Sequence, residues 1–358
     1  MNEGRKGKAM NANSMFKLSG INAGFNGGMV QAIDTQTGQR VSLTLAPSDV
    51  HDASEVPELL QSYKSMKFRA DEICPVIPVD QLSDKYRIFS SDNAFQPVVV
   101  KTSGEAAVAE VDPESALSTY TCVMRAIGCF ISAQTEMSAE FDVKARAAKR
   151  CADAIYRDIE IDVMTLLGTN TNWNAAVRTA AATAWDQAGS TPIVDIQTAI
   201  RKSYQEVKAI AINLQTAFAL INHDDTKDLM RQFKGDMPVA DAMNQLSKAP
   251  MSSIDFTIPT LPPFKVVGSQ YVNATGTKVD TLGKVAVLIC GPDSPMPDEV
   301  MSAASFRFRG PSGTGWSSRE FTVDARGPWG GTMMVVSEAS AQVMVANIAG
   351  GIITNTAT

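Results

Sequence analysis

Only a few residues in this chain are of a type and spacing that could do chemistry. His223 stands beside Asp224 and Asp225, and His51 beside Asp52; a histidine oriented by a carboxylate is the usual form of a general base. These are the only two histidines, so a His-rich metal centre has no material to form from. His223-Asp224-Asp225 reads instead as the polar first turn of a helix, and His51-Asp52 as part of a loop. Gly310-Pro311-Ser312-Gly313-Thr314-Gly315 is glycine-rich, but it has neither the spacing of a nucleophile elbow nor that of a dinucleotide loop. It reads as a turn between strands. Gly276 to Gly283-Lys284-Val285 misses the phosphate-loop spacing and lacks the Ser or Thr that would hold magnesium. Cys74, Cys122, Cys129, Cys151 and Cys290 are odd in number and scattered, which fits buried reduced thiols and no disulfide framework. The sequence therefore offers no catalytic, cofactor-binding or metal-binding residue, and an enzyme is not expected.

Composition narrows the classes further. With 358 residues, 44% of them hydrophobic, the chain can bury a sizeable core and would divide into about two domains. No apolar run approaches the roughly 20 residues of a membrane-spanning helix, and the basic, polar start from Met1 to Lys8 lacks the apolar core of a signal peptide. The net charge of -6 weighs against a basic nucleic-acid reader.

With no site to position, the elements carry the argument. Residues 1–28 are Gly-, Asn- and Ser-rich and are expected to take order only from neighbouring chains. Met29 to Asp34 and Arg40 to Leu45 predict a hairpin, and Ser54 a short helix bearing Val56, Leu59, Leu60 and Tyr63. Cys74-Pro75-Val76-Ile77-Pro78-Val79 favours an extended, edge-like backbone. Lys85 to Ser90 and Phe95 to Lys101 alternate at period two, and Thr119 to Ile127 returns as a β-rich strand across a polar tip, Thr102 to Asp112. Two strands of this length cannot bury an apolar face alone, so they should lie on something else. Next comes a predicted helix, capped by Ser138 and ending at Gly168. Its apolar stripe is Phe141, Ala145, Ala148, Cys151, Ile155, Ile159, Val163 and Leu166, and it should span about 45 Å. The basic cluster Lys144, Arg146, Lys149 and Arg150 lies outside that stripe. Further on, Thr191-Pro192 starts a helix whose buried stripe is Ile193, Ile196, Ile200, Tyr204 and Val207. Ala217 to Ile221 is expected to be a buried strand, with Asn222 capping the helix after it. Strands from Phe264 to Ile348 complete an α+β chain.

This order resembles the major capsid protein of tailed bacteriophages, the Johnson fold, a capsid fold shared with encapsulins. The resemblance rests on Lys85-Tyr86-Arg87-Ile88-Phe89, Gly104-Glu105-Ala106, Ser118-Thr119-Tyr120-Thr121, the helix with Arg150 to Ile161, and Trp316 to Thr354. It implies an N-terminal arm over 1–73 and an extended two-stranded loop over 74–128. It also implies a peripheral domain over 129–187 and 306–338 with a spine helix at 138–167, and an axial domain over 188–305 and 339–358. The implied role is structural: hexamers and pentamers of an icosahedral shell enclosing double-stranded DNA, assembled in the host cytoplasm and present in the virion. Implied partners are further copies of the chain, a portal, a separate scaffolding protein, a decoration protein, and packaged DNA touched non-specifically on the inner face; no membrane is implied. An encapsulin-like compartment holding cargo enzymes is the alternative.

Overall fold

A computed structural model describes residues 21–26, 29–34, 40–43, 60, 68–89, 116–140, 142–234, 255–292, 295–296, 299–310, 313, 315–323 and 329–358. The chain divides into two compact units, Met1–Asp52 and Ala53–Thr358. In the first, β1 (Ile21–Asn26), β2 (Met29–Asp34) and β3 (Arg40–Leu43) form an antiparallel sheet in that order. The β2–β3 hairpin is the one the sequence predicts. Strand β1 is a correction: residues 21–26 pair with β2 inside this chain, within a segment expected to need a neighbour for order.

The second unit runs α1 (Ala70–Ile73), β4 (Val76–Val79), β5 (Ser83–Ile88), β6 (Ala116–Thr121), β7 (Val123–Ser132), α2 (Ala133–Ser138) and α3 (Val143–Gly168). Then follow β8 (Arg178–Ala180), α4 (Pro192–Lys202), β9 (Ala209–Asn213), α5 (Leu214–Asn222), α6 (Asp224–Lys234), β10 (Asp255–Phe256) and β11 (Phe264–Val267). The chain closes with β12 (Gln270–Val272), β13 (Lys278–Asp280), β14 (Val285–Ile289), β15 (Ala303–Phe308), β16 (Trp316–Val323), β17 (Gly331–Met344) and β18 (Gly350–Thr354). This is the expected α+β class, with the Johnson-fold order of elements.

Two sheets organise this unit. In the five-stranded sheet β17 is the central ladder: its first half is flanked by β16 and β7, and its second half pairs with β15, which pairs in parallel with the edge strand β4. The six-stranded sheet has the order β10-β11-β9-β14-β18-β8 and is mixed. Its inner strands β9, β14 and β18 are almost wholly buried, as strands covered on both faces must be.

Helix α3 lies on the five-stranded sheet and buries Ala148, Cys151, Ile155, Ile159 and Val163, five of the eight stripe positions read from the sequence. Its 26 residues make it about 39 Å long. Its start is a correction. Ser138 ends α2 and turns its hydroxyl back to the Gln134 carbonyl at 2.8 Å, while Asp142 caps α3 by accepting the Ala145 N–H at 3.0 Å. The end at Gly168 is as predicted.

Three further expectations change. Ala217 to Ile221 is helical, inside α5, and the strand is the preceding Ala209–Asn213. The cap is Asn213, whose side chain accepts the Thr216 N–H at 2.8 Å; Asn222 is the last residue of α5. The return strand predicted over Thr119 to Ile127 is broken at Cys122, whose N–H donates to the Leu82 carbonyl at 2.7 Å, so β6 pairs with β5 while β7 joins β17. Tyr204 lies beyond α4 and is exposed. Of the short helix expected after Ser54 only Leu60 is described, and it is buried.

Candidate assembly surface

The described residues hold no group of three or more His, Cys, Asp or Glu side chains that could bind a metal. No helix among them is long and apolar enough to cross a membrane. His223 caps a helix: its Nδ1 accepts the Asp225 N–H at 3.3 Å, and the Asp225 carboxylate stands 3.7 Å away at a solvated helix start. His51 lies outside the described residues. Gly310, Gly313 and Gly315 take positive φ, which glycine adopts without a Cβ penalty, in the connection between β15 and β16. The free thiols, Cys74, Cys122, Cys129, Cys151 and Cys290, form no disulfide. Burial pushes Cys151 and Cys290 up to about 11, so neither is a nucleophile at neutral pH.

What the second unit presents instead is surface that its own core does not use. Strands β5 and β6 form a two-stranded ribbon whose side chains are mostly exposed, with Leu117 at 60%. The ribbon is held at its base. Tyr120 stacks on Phe306 with ring centroids 4.5 Å apart, Tyr86 packs on the same ring at 5.5 Å, and the Phe89 N–H donates to the Val345 carbonyl at 3.0 Å. Beyond that base a lone ribbon has no layer to cover it. The run Phe95 to Lys101 and the tip expected over Thr102 to Asp112 lie outside the described residues, while Lys85 is exposed on β5.

The ten-residue strand β7 continues from the ribbon, and among the described residues no strand pairs with its outer edge. Val123 and Met124 are 60% and 66% exposed, and Ile127 is exposed as well. An open edge carrying large apolar side chains is a surface that proteins normally cover. Beside it, a cleft of about 550 Å³ lies between β6, β7, β17 and the second half of α3.

Arg125 fixes this face. Its Nε donates to Asp158 at 2.7 Å, Nη2 donates to Asp162 and Gln342, and Nη1 donates to the Ser340 carbonyl at 3.3 Å. Burial works against its charge, but the two carboxylates outweigh that and raise its pKa further. Lys144 is not part of a free basic patch: it donates to Glu320 at 3.1 Å and lies 3.6 Å from Glu136, and the Glu320 bond in particular raises its pKa. Arg146, Lys149 and Arg150 are on the exposed side of α3. Sequence reasoning missed Arg125 and Glu160, whose partners are distant in sequence; Glu160, fully buried on α3, had no local signal except its place beside the apolar stripe.

Comparison with known proteins follows this geometry. A phage-related protein from Bordetella bronchiseptica RB50 superposes with a TM-score of 0.63 at 14% identity, covering 86% of this chain and 98% of that one. The capsid of an empty GTA particle superposes with a TM-score of 0.52 at 13% identity, covering 82% and 91% respectively. Both likenesses are of fold. No curated protein matches the chain in sequence. The family model described as phage capsid protein matches residues 125–332, more than half of the sequence, spanning most of β7, α3, five of the six strands of the six-stranded sheet, and β15 and β16. A chain with this match, a Johnson-fold order of elements and a large uncovered edge belongs to the phage capsid protein family and is a capsid shell subunit.

Proposed function

We propose that this chain is the major capsid subunit of a tailed bacteriophage, self-assembling into hexamers and pentamers of an icosahedral shell around double-stranded DNA. The observation that carries the reading is the ribbon β5–β6 running into the open edge of β7, because both leave apolar surface that a second copy can cover. In this reading the five-stranded sheet with α3 is the peripheral domain, and the six-stranded sheet with α4 to α6 is the axial domain around the capsomer centre. The ribbon overlies an adjacent subunit. Interfaces of roughly 1,000 Å² or more each add up to a stable shell. The role is structural and has no catalytic step. Assembly takes place in the host cytoplasm with a portal and a separate scaffolding protein; a decoration protein binds outside, and packaged DNA meets the inner face without sequence readout.

Electron microscopy of the protein purified after expression alone and with its scaffolding protein tests this. Closed shells built from hexamers and pentamers are expected. A monodisperse monomer under both conditions would refute the assignment, and shells from infected cells that hold enzyme cargo in place of DNA would redirect it to a compartment.

A further inference from the structure

The buried carboxylate of Glu160 has no part in the surface described above, and its surroundings give it a distinct role. It sits on the inward face of α3 with no exposed area. Oε2 accepts the N–H groups of Arg69 at 2.8 Å and Ala70 at 2.6 Å, where α1 begins, and Oε1 lies 2.9 Å from the Ser269 hydroxyl. Ser269 in turn is 2.5 Å from the Thr281 hydroxyl, which donates to the Ser269 carbonyl at 3.0 Å. One side chain thus joins three parts of the fold: the long helix, the segment leading through β4 into the ribbon, and the β12–β13 hairpin next to the six-stranded sheet.

The charges around it are lopsided. From α1, Asp71 faces both Glu160 and Glu338 of β17. Arg307 of β15 is committed to Glu338 at 2.5 Å and to Asp71 at 3.1 Å. The Arg69 guanidinium turns away to Glu72 at 2.9 Å and Asp255 of β10 at 2.6 Å, and Lys265 of β11 reaches Glu72 at 3.4 Å. On α3 itself Tyr156 lies one turn earlier, and the Cys74 thiol after α1 is kept neutral by burial. Among the described residues no Lys or Arg side chain pairs with Glu160. Asp71 and Glu338 share the one buried guanidinium of Arg307, and Glu160 is left with hydrogen-bond donors alone.

Either protonation state completes the hydrogen bonds. Ionised, Oε1 accepts from Ser269. Protonated, Oε1–H donates to the Ser269 oxygen, Ser269 donates to Thr281, and Thr281 donates to the Ser269 carbonyl. The states differ in placing a negative charge, or none, in a dry site that Asp71 also faces. We propose that Glu160 is a proton-operated clasp, which holds the three-way junction tightly when protonated and loosens it when ionised. Burial pushes its pKa up to about 7, against the lowering effect of the Ser269, Arg69 and Ala70 donors, so the change falls near neutral pH.

The sign follows from linkage. A carboxyl whose pKa is raised on folding binds more protons folded than unfolded, so its contribution is fully present below about 4.5 and is lost as pH rises to about 7. Between pH 5 and pH 8 the opening constant of the junction should rise roughly 70-fold. The test compares the wild-type subunit with Glu160→Gln, whose amide reproduces the bonds of the protonated acid. The wild-type Tm should fall by about 3 to 4 °C more than that of Glu160→Gln across this range. Hydrogen exchange at residues 69–73, corrected for its intrinsic pH dependence and referred to β14, should accelerate in the wild type only. Parallel Tm profiles in the two proteins, with equal exchange, overturn the proposal. Should the variant not fold, the wild type decides alone: protection of 69–73 relative to β14 that does not change with pH is equally fatal. Neither readout depends on shell formation, so this clasp and the capsid assignment can fail independently.

Discussion

Replacing Arg307 by Met should expose how finely the interior of the five-stranded sheet is balanced. Arg307 on β15 reaches across to Glu338 on β17, Nε to Oε1 at 2.5 Å, with its N–H not aimed along that contact, so the attraction is that of an ion pair. Glu338 has no exposed side-chain area and Arg307 has 14%. Burial raises the pKa of Glu338, and the nearby Arg307 guanidinium offsets this. Methionine preserves most of the volume but removes the cation, leaving a buried carboxylate without compensation, a loss of about 3 to 5 kcal/mol. A second route to the magnitude sets a ceiling: Glu338 can escape by taking up a proton, which at pH 7 costs about 1.4 kcal/mol per unit above its ordinary carboxyl pKa, or roughly 3.5 kcal/mol in all. The ceiling leaves an expected loss at pH 7 of about 3 to 3.5 kcal/mol. The penalty should also depend on pH in a defined direction. In the variant Glu338 binds a proton on folding, so stability falls as pH rises through the neutral range, and near pH 4.5 only the packing loss remains. The Asp71 contact adds little, because that carboxylate is 30% exposed and screened. Urea unfolding of unassembled subunits, followed by tryptophan fluorescence at pH 5 and pH 7, measures this. The double variant Arg307→Met, Glu338→Leu should recover most of the loss, since no charge remains buried. A single variant within 1 kcal/mol of wild type at both pH values would show that the site is wetter or more plastic than the structure indicates, and would refute the reasoning.

Other expectations are simpler to check. Ile159→Asp puts an unpaired charge under α3, where Ile159 is fully buried, and should cost several kcal/mol and yield insoluble subunit. Gly331→Ala should block the start of the β7–β17 ladder, because a Cβ there would meet the Ile131 carbonyl oxygen at 2.2 Å; loss of at least 2 kcal/mol in urea unfolding is expected. Val123→Asp combined with Met124→Asp, both on exposed positions of β7, should change monomer stability by no more than about 0.5 kcal/mol while abolishing shells in sedimentation assays. Normal shells from that variant would remove the outer edge of β7 from the assembly surface.

Local patterning alone determines much of this chain. The spacing of three and four from Ala148 to Val163 could only be an amphipathic helix, and Gly168 its stop, because both signals act within a turn or two of the backbone. Alternation in Lys85 to Ile88 and the prolines around Val76 marked strands for the same reason. With only two histidines and no phosphate-loop spacing, the sequence offered no candidate residues for the commonest chemistries. Local pattern fails where two solutions fit it equally. Ala217 to Ile221 is an apolar run too short for periodicity to choose, and the choice was made by Asn213 capping α5 after the strand Ala209–Asn213 had been placed between β11 and β14. Asp142 displaced Ser138 as the cap of α3 because Ser138 was already engaged in α2. The break at Cys122, which hands the returning strand from the ribbon to β17, depends on Leu82 and on a ladder more than 200 residues away in sequence. Glu160 is the clearest case. On α3 it reads as one more solvated acid, and only the amides of Arg69 and Ala70 and the hydroxyl of Ser269, brought from 91, 90 and 109 residues away, make it a buried joint. Periodicity reports which face of an element is apolar, whereas the fate of a polar residue at the border of that face depends on what long-range packing sets against it.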